Sequence, residues 1–196
     1  MGLVKEASNW VLSGINSVIQ SINEDEIEEM IDMIMGAGEN KILIIGSGRS
    51  GYVGRAFALR LMHLDFNVYV SGETITPALS SSDLVIAISG SGSTRTVVAQ
   101  AEVAKEIGSK VIAVTSHNDS PLGKYADKVV LVKGRSKIDV DFDYERRQIT
   151  GEHDPAPLGT MFELSAMVLL DCIIADLMQR LSKTEIDMRK KHANAE

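Results

Sequence analysis

The chain has 196 residues, of which 44% are apolar and 24% charged, and its formal net charge is −7 at pH 7. That length and mix fit one globular domain with a full hydrophobic core. The acidic balance speaks against nucleic acid or an anionic membrane surface as a partner, since both call for a basic footprint.

The lone cysteine, Cys172, excludes an internal disulfide and fits a reducing cytoplasm. It stands in an apolar stretch, so core packing is its expected role. The first residues lack the apolar run of a secretory signal. No stretch reaches the roughly 18 apolar residues of a membrane span.

In chain order, residues 1–38 read as N-terminal helices. Val4, Trp10, Val11, Ile15, Val18, Ile19 and Ile22 fall at helical spacing, and a second stripe follows at Ile27, Met30, Ile31, Ile34 and Met35. Between them, Asn23 to Glu26 suit a helix start. Residues 41–132 form an α/β core. Short β-rich apolar runs at 41–45, 67–70, 83–89, 110–115 and 127–132 alternate with helices at 50–64 and 94–107 and a short one at 121–125. Continuous apolar strands suit a sheet covered on both faces, and the alternation implies parallel pairing with right-handed crossovers. Residues 133–157, charged and holding Pro155 and Pro157, read as a long loop. Residues 158–196 complete the chain with C-terminal helices. The first, 158–181, is strongly apolar. Its inward face is expected at Met161, Leu164, Val168, Leu169, Ile173 and Leu177, wider than one small sheet needs, which raises an intersubunit role. The second covers 184–191, with Thr184 as N-cap.

Two strand-to-helix turns carry the chemistry: Gly46-Ser47-Gly48-Arg49-Ser50-Gly51 and Ser89-Gly90-Ser91-Gly92-Ser93-Thr94. In a parallel sheet, ligands sit beyond the carboxyl ends of the strands. Helix N-termini there offer free N–H groups and a positive dipole end, which suits phosphate. Gly48, Arg49, Ser50 and the whole run Ser89, Gly90, Ser91, Gly92, Ser93 and Thr94 are therefore the candidate phosphate-binding residues. Neither turn is a Walker A loop. The first matches G-x-G-x-x-G, and Glu73 lies where a ribose-binding acid would sit, so a dinucleotide reading stands as an alternative. Four hydroxyl residues crowded into the second turn argue against it. Arg49 is a candidate partner for the sugar or for Glu73. Arg60 and His63, three apart on one helix, and Glu73 are possible pocket residues. His117 reads as a loop residue. The histidines show no metal-ligand spacing, and no metal is expected.

Together these segments resemble the sugar isomerase (SIS) domain family, and within it the 6-phospho-3-hexuloisomerase branch. The resemblance is carried by Gly48-Arg49-Ser50-Gly51, by residues 57–64 around Arg60-Leu61-Met62-His63, and by Gly72-Glu73-Thr74 with Pro77. It continues through Ile88-Ser89-Gly90-Ser91-Gly92, residues 157–163 and His192-Ala193-Asn194. It implies one Rossmann-like or flavodoxin-like α/β domain, with a five-stranded parallel sheet sandwiched by helices, assembled as a homotetramer. It also implies isomerisation of D-arabino-hex-3-ulose 6-phosphate to D-fructose 6-phosphate without a cofactor. That reaction is a step of the ribulose monophosphate route, used for formaldehyde fixation or in reverse, and its pathway partner is a hexulose-phosphate synthase.

Moving a carbonyl to the next carbon needs a base at carbon and groups that manage the hydroxyl protons of an enediol. Glu163 matches the acidic residue of the family motif and is the candidate base; otherwise it is a first-turn acid complementing its helix dipole. Glu152 is the rival carboxylate. His192 matches the family's terminal histidine and is the candidate proton shuttle at oxygen; without the resemblance it reads as a solvated tail. A tail can also close over a neighbouring subunit's pocket, which places active sites near subunit interfaces. Two alternatives stand beside this reading. One is another phosphosugar isomerase, acting on arabinose 5-phosphate or sedoheptulose 7-phosphate. The other is a non-catalytic phosphosugar sensor.

Overall fold

The computed structural model describes residues 2–134 and 155–193. Most of the expected loop 133–157, Glu152 within it and the terminal Asn194 lie outside the described residues.

Helices α1 (Leu3–Gln20) and α2 (Glu24–Ala37) come first. The Asn23 side chain ends the break between them by accepting the Asp25 N–H at 2.9 Å. This leaves the acidic residues Glu24, Asp25 and Glu26 in the first turn of α2, where the helix dipole favours them. The expected strands follow as β1 (Ile42–Gly46), β2 (Val68–Val70), β3 (Leu84–Ile88), β4 (Lys110–Thr115) and β5 (Lys128–Leu131). Helix α3 (Gly48–His63) joins β1 to β2, and α4 (Arg95–Ile107) joins β3 to β4. The short helix expected at 121–125 is a 3₁₀ turn over Gly123–Tyr125. Then come α5 (Thr160–Arg180) and α6 (Glu185–Arg189), the latter opened by a reciprocal capping box between Thr184 and Asp187.

All strand pairs are parallel, in the order β2-β1-β3-β4-β5. This is the flavodoxin-like order. β3 is buried at every residue and β1 at all but its last, as strands covered on both faces must be. One apolar cluster joins Ile42, Ile44, Ile86 and Ile88 to α2, α3 and α5. The other joins Leu43, Ile45, Val85 and Ala87 to α4. Alternate residues of the same strands thus feed opposite layers.

The inward face of α5 is corrected. Leu169, Ile173 and Leu177 are buried as expected, alongside Phe162, Ala166, Leu170 and Ile174, but Val168 is 39% exposed. Cys172, expected in the core, is exposed as well. Both lie on one stripe with the exposed Ala175 and the half-buried Leu164. A helix that is apolar on every side has no periodic signal to say which side faces in.

The order reverses between β1 and β3: the chain steps from β1 outward to β2 on one side and from β3 to β4 on the other. A crevice opens at such a switch point, beyond the strand ends.

Candidate active site

The two Gly/Ser turns meet at this crevice. A cavity of about 320 Å³ is lined by Ser47, Gly48 and Ser50 after β1, by Ile88, Ser89, Gly90, Ser91 and Thr94 around the end of β3, and by Leu158, Gly159, Phe162 and Glu163 at the start of α5. That size suits a small ligand.

Three helices, α3, α4 and α5, begin at its wall. Their N-cap residues are Ser47, Thr94 and Gly159, and none makes a side-chain cap hydrogen bond. Of the helices that begin elsewhere, α2 and α6 are capped by Asn23 and Thr184, while α1, behind Gly2, has no side-chain cap. The first N–H groups of a helix have no partner within it. Here three such ends, with their positive dipole ends, converge on one space. Hydroxyls supply further donors at no net charge. Ser89 and Thr94 Oγ atoms stand 3.2 Å apart, and Ser93 donates to Ser91 Oγ at 3.1 Å.

The second turn is fixed from behind. The Leu122 N–H donates to the Gly92 carbonyl at 2.9 Å, and the Ser116 N–H donates to the Gly90 carbonyl at 3.0 Å. Gly92 has φ +59°, and a Cβ there would stand 2.1 Å from Ser120 Oγ. No other residue fits that position without displacing the neighbouring loop.

Of the expected phosphate-binding residues, Gly48, Ser50, Ser89, Gly90, Ser91 and Thr94 line the cavity, while Gly92 and Ser93 shape the turn behind it. Glu163 is on the wall. Arg49 does not pair with Glu73: its Nε–H donates to Glu163 Oε2. Glu73 instead accepts from Arg55, at 3.1 Å from Nη2, and borders a separate hollow between α3 and β2. It stands away from the cavity of its own chain and is no ribose acid there. Arg60 is exposed and faces Asp171 at 3.9 Å, also away from the cavity.

His63 and His192 come together, but elsewhere. Their rings stack with centroids 4.2 Å apart. His63 is 2% exposed at the end of α3 remote from the cavity, and His192 packs on it from the chain's C-terminal segment. At the helical rise, Gly48 and His63 are about 22 Å apart along the α3 axis. Burial, then the neighbouring His192 and Arg60, hold the His63 imidazole below its ordinary proton affinity. Two lysines, Lys183 and Lys191, pair with Asp65 and fasten the C-terminal segment there. Among the described residues, no cluster of three or more His, Cys, Asp or Glu side chains is placed to hold a metal ion.

Ser47, Ile88, Leu158, Gly159 and Phe162 line the cavity but were not among the expected site residues. Ser47 carried the same signal as the second turn, a hydroxyl between glycines behind a strand. Phe162 read as one more apolar residue of a long helix.

A family model described as the SIS domain matches residues 37–140. The chain belongs to the SIS domain family. An uncharacterized protein of Aeropyrum pernix is 51% identical over 186 residues, 91% of this chain and 87% of that one. A SIS relative from Methanocaldococcus jannaschii, named 3-hexulose-6-phosphate isomerase, is 39% identical over 172 residues, 87% of this chain and 84% of its own. The SIS fold recurs in the crystal structure of a Methanococcus jannaschii protein for which a 3-hexulose-6-phosphate isomerase function is inferred. That structure has a TM-score of 0.77 and 35% identity, covering 98% of each chain. Among the described residues, no helix is long and apolar enough to cross a membrane.

Proposed function

We propose that this SIS domain chain interconverts D-arabino-hex-3-ulose 6-phosphate and D-fructose 6-phosphate. The observation that carries the reading is the Glu163 carboxylate on the wall of a cavity into which three uncapped helix ends point. The names borne by similar proteins narrow the sugar phosphate to a 3-hexulose.

The phosphate is held by N–H groups at the starts of α3 and α4 and by the hydroxyls of Ser47, Ser50, Ser89, Ser91 and Thr94. Glu163 removes the proton from C2 of the 3-ketose, and the electron pair becomes the C2–C3 double bond of an enediol. The O2 hydroxyl loses its proton, O3 gains one, and C3 is protonated. The carbonyl has then moved from C3 to C2 with no net change in composition.

His192 is the group assigned to the oxygen protons. It is too far along α3 from its own chain's cavity, so it serves the cavity of a neighbouring copy. The outward apolar stripe Leu164, Val168, Cys172 and Ala175 on α5 supplies a surface for such a neighbour. The assembly is a homotetramer. The protein works in the cytoplasm without a metal or organic cofactor, in the ribulose monophosphate route, and a separate hexulose-phosphate synthase provides its substrate.

The test is turnover of D-arabino-hex-3-ulose 6-phosphate, formed in place by a synthase, with fructose 6-phosphate followed through coupled NADPH formation. Glu163→Gln is expected to lose activity by about 10²- to 10⁴-fold. Full activity in that variant transfers the base to Glu152 or His192. A folded wild type without turnover, yet raised in Tm by fructose 6-phosphate, favours a sensor.

A further inference from the structure

Arg49 stands in the first turn of α3, where the helix dipole disfavours a cation, and that turn holds no acidic residue. Its side chain is 65% exposed, so the ion pair it makes contributes little to stability. Neither fact accounts for an arginine here. Its partner does: Glu163 lies on another helix start, 114 residues along the chain, with its side chain only 14% exposed. The same carboxylate lies back over the beginning of α5, where a Cβ on Gly159 would stand 3.2 Å from Oε1. A glutamate has three side-chain torsions, and a carboxylate on the wall of an open cavity samples several of them. The Nε–H of Arg49 selects one.

We propose that Arg49 is a positioning residue for Glu163, holding the carboxylate in the orientation from which it reaches the carbon-bound proton. This rests on the reading of Glu163 as the base. It departs from the role expected of Arg49 in the sequence, that of a phosphate ligand. The guanidinium is suited to the task because its planar fork fixes direction as well as charge, which an ammonium does not.

The experiment compares wild type, Arg49→Gln, Arg49→Lys, Glu163→Gln and the Arg49→Gln/Glu163→Gln double variant. Turnover is measured in the coupled assay and fructose 6-phosphate binding by calorimetry. A misaligned base is expected to lower kcat by about 100-fold in Arg49→Gln, with less loss in Arg49→Lys. Binding of fructose 6-phosphate stays within about threefold of wild type, and the double variant is no slower than Glu163→Gln alone. Weakened binding with unchanged kcat makes Arg49 a substrate holder and overturns the proposal. So does a double variant whose losses multiply. A second readout needs no turnover: the Arg49 Nε–H resonance in ¹⁵N spectra is expected to move in Glu163→Gln, and an unmoved resonance means the pair does not form. A wild type inactive on the substrate overturns the base assignment and this proposal with it, and is recognised because the unmutated protein fails.

Discussion

At the scale of single residues, the site divides into groups visible in the chain and pairings that only folding creates. The serine-rich turn after β3 was legible because its hydroxyls and glycines are contiguous. The partner of Arg49 was not. Glu73 is 24 positions away and Glu163 is 114, and only the docking of α5 beside α3 decides between them. His63 makes a similar point. Its spacing from Arg60 suggested a shared face, yet the arginine is exposed and the histidine buried against His192. The buried imidazole binds a proton less readily than it does in the unfolded chain. Its contribution to stability is therefore complete above the usual imidazole value of 6.5 and is lost as pH falls through the lower value of the folded state. Acidification from pH 7.5 to 5.5 is expected to lower the Tm of wild type more than that of His63→Gln. Parallel Tm curves for the two proteins count against this account.

At the scale of elements, the strands were the most legible part. Five apolar runs of about the right length became five strands with small shifts at their ends, because burial on both faces leaves little choice of residue. Helix α5 was the least legible in its orientation. Its outward Val168 and Cys172 are as apolar as its inward Leu169 and Ile173, so composition could not tell sheet-facing from outward-facing positions. The seating of α3 on the sheet depends on Gly54. A Cβ there would lie 2.8 Å from Ile44 Cγ2 and 3.5 Å from Ile88 Cδ1. Alanine gains about 1 kcal/mol in helix propensity over glycine. Pushing α3 off a β-branched core residue is expected to cost about 1–3 kcal/mol, enough to cancel or exceed that gain. Gly54→Ala should thus lower Tm by a few degrees in a scanning calorimeter, at about 2–4 °C per kcal/mol for a chain of this size. A raised Tm means that α3 shifts freely on β1 and β3.

At the scale of the whole molecule, the parallel sheet followed from the alternation of strands and helices, but its strand order, with the switch point between β1 and β3, and the distance between His192 and the cavity did not. That distance depends on α3 running away from the site and the C-terminal segment returning to its far end. A site shared between copies predicts that inactive Glu163→Gln and His192→Asn chains, unfolded together and refolded as mixed oligomers, regain part of the wild-type turnover. Mixtures no more active than either variant alone mean that each chain works by itself. The three helices that start uncapped at the cavity have a consequence beyond chemistry. Asn23 and Thr184 cap the first amide groups of α2 and α6; where α3, α4 and α5 start, no side chain does so, and their amide groups face a cavity that an anion can enter. Such an anion acts as a structural part of the fold, and at a hundred times its Kd it adds about 2.7 kcal/mol to the stability of the native state. Survival against cellular proteases then rises and falls with the supply of the metabolite, so that starvation for it thins out the protein that has nothing to bind.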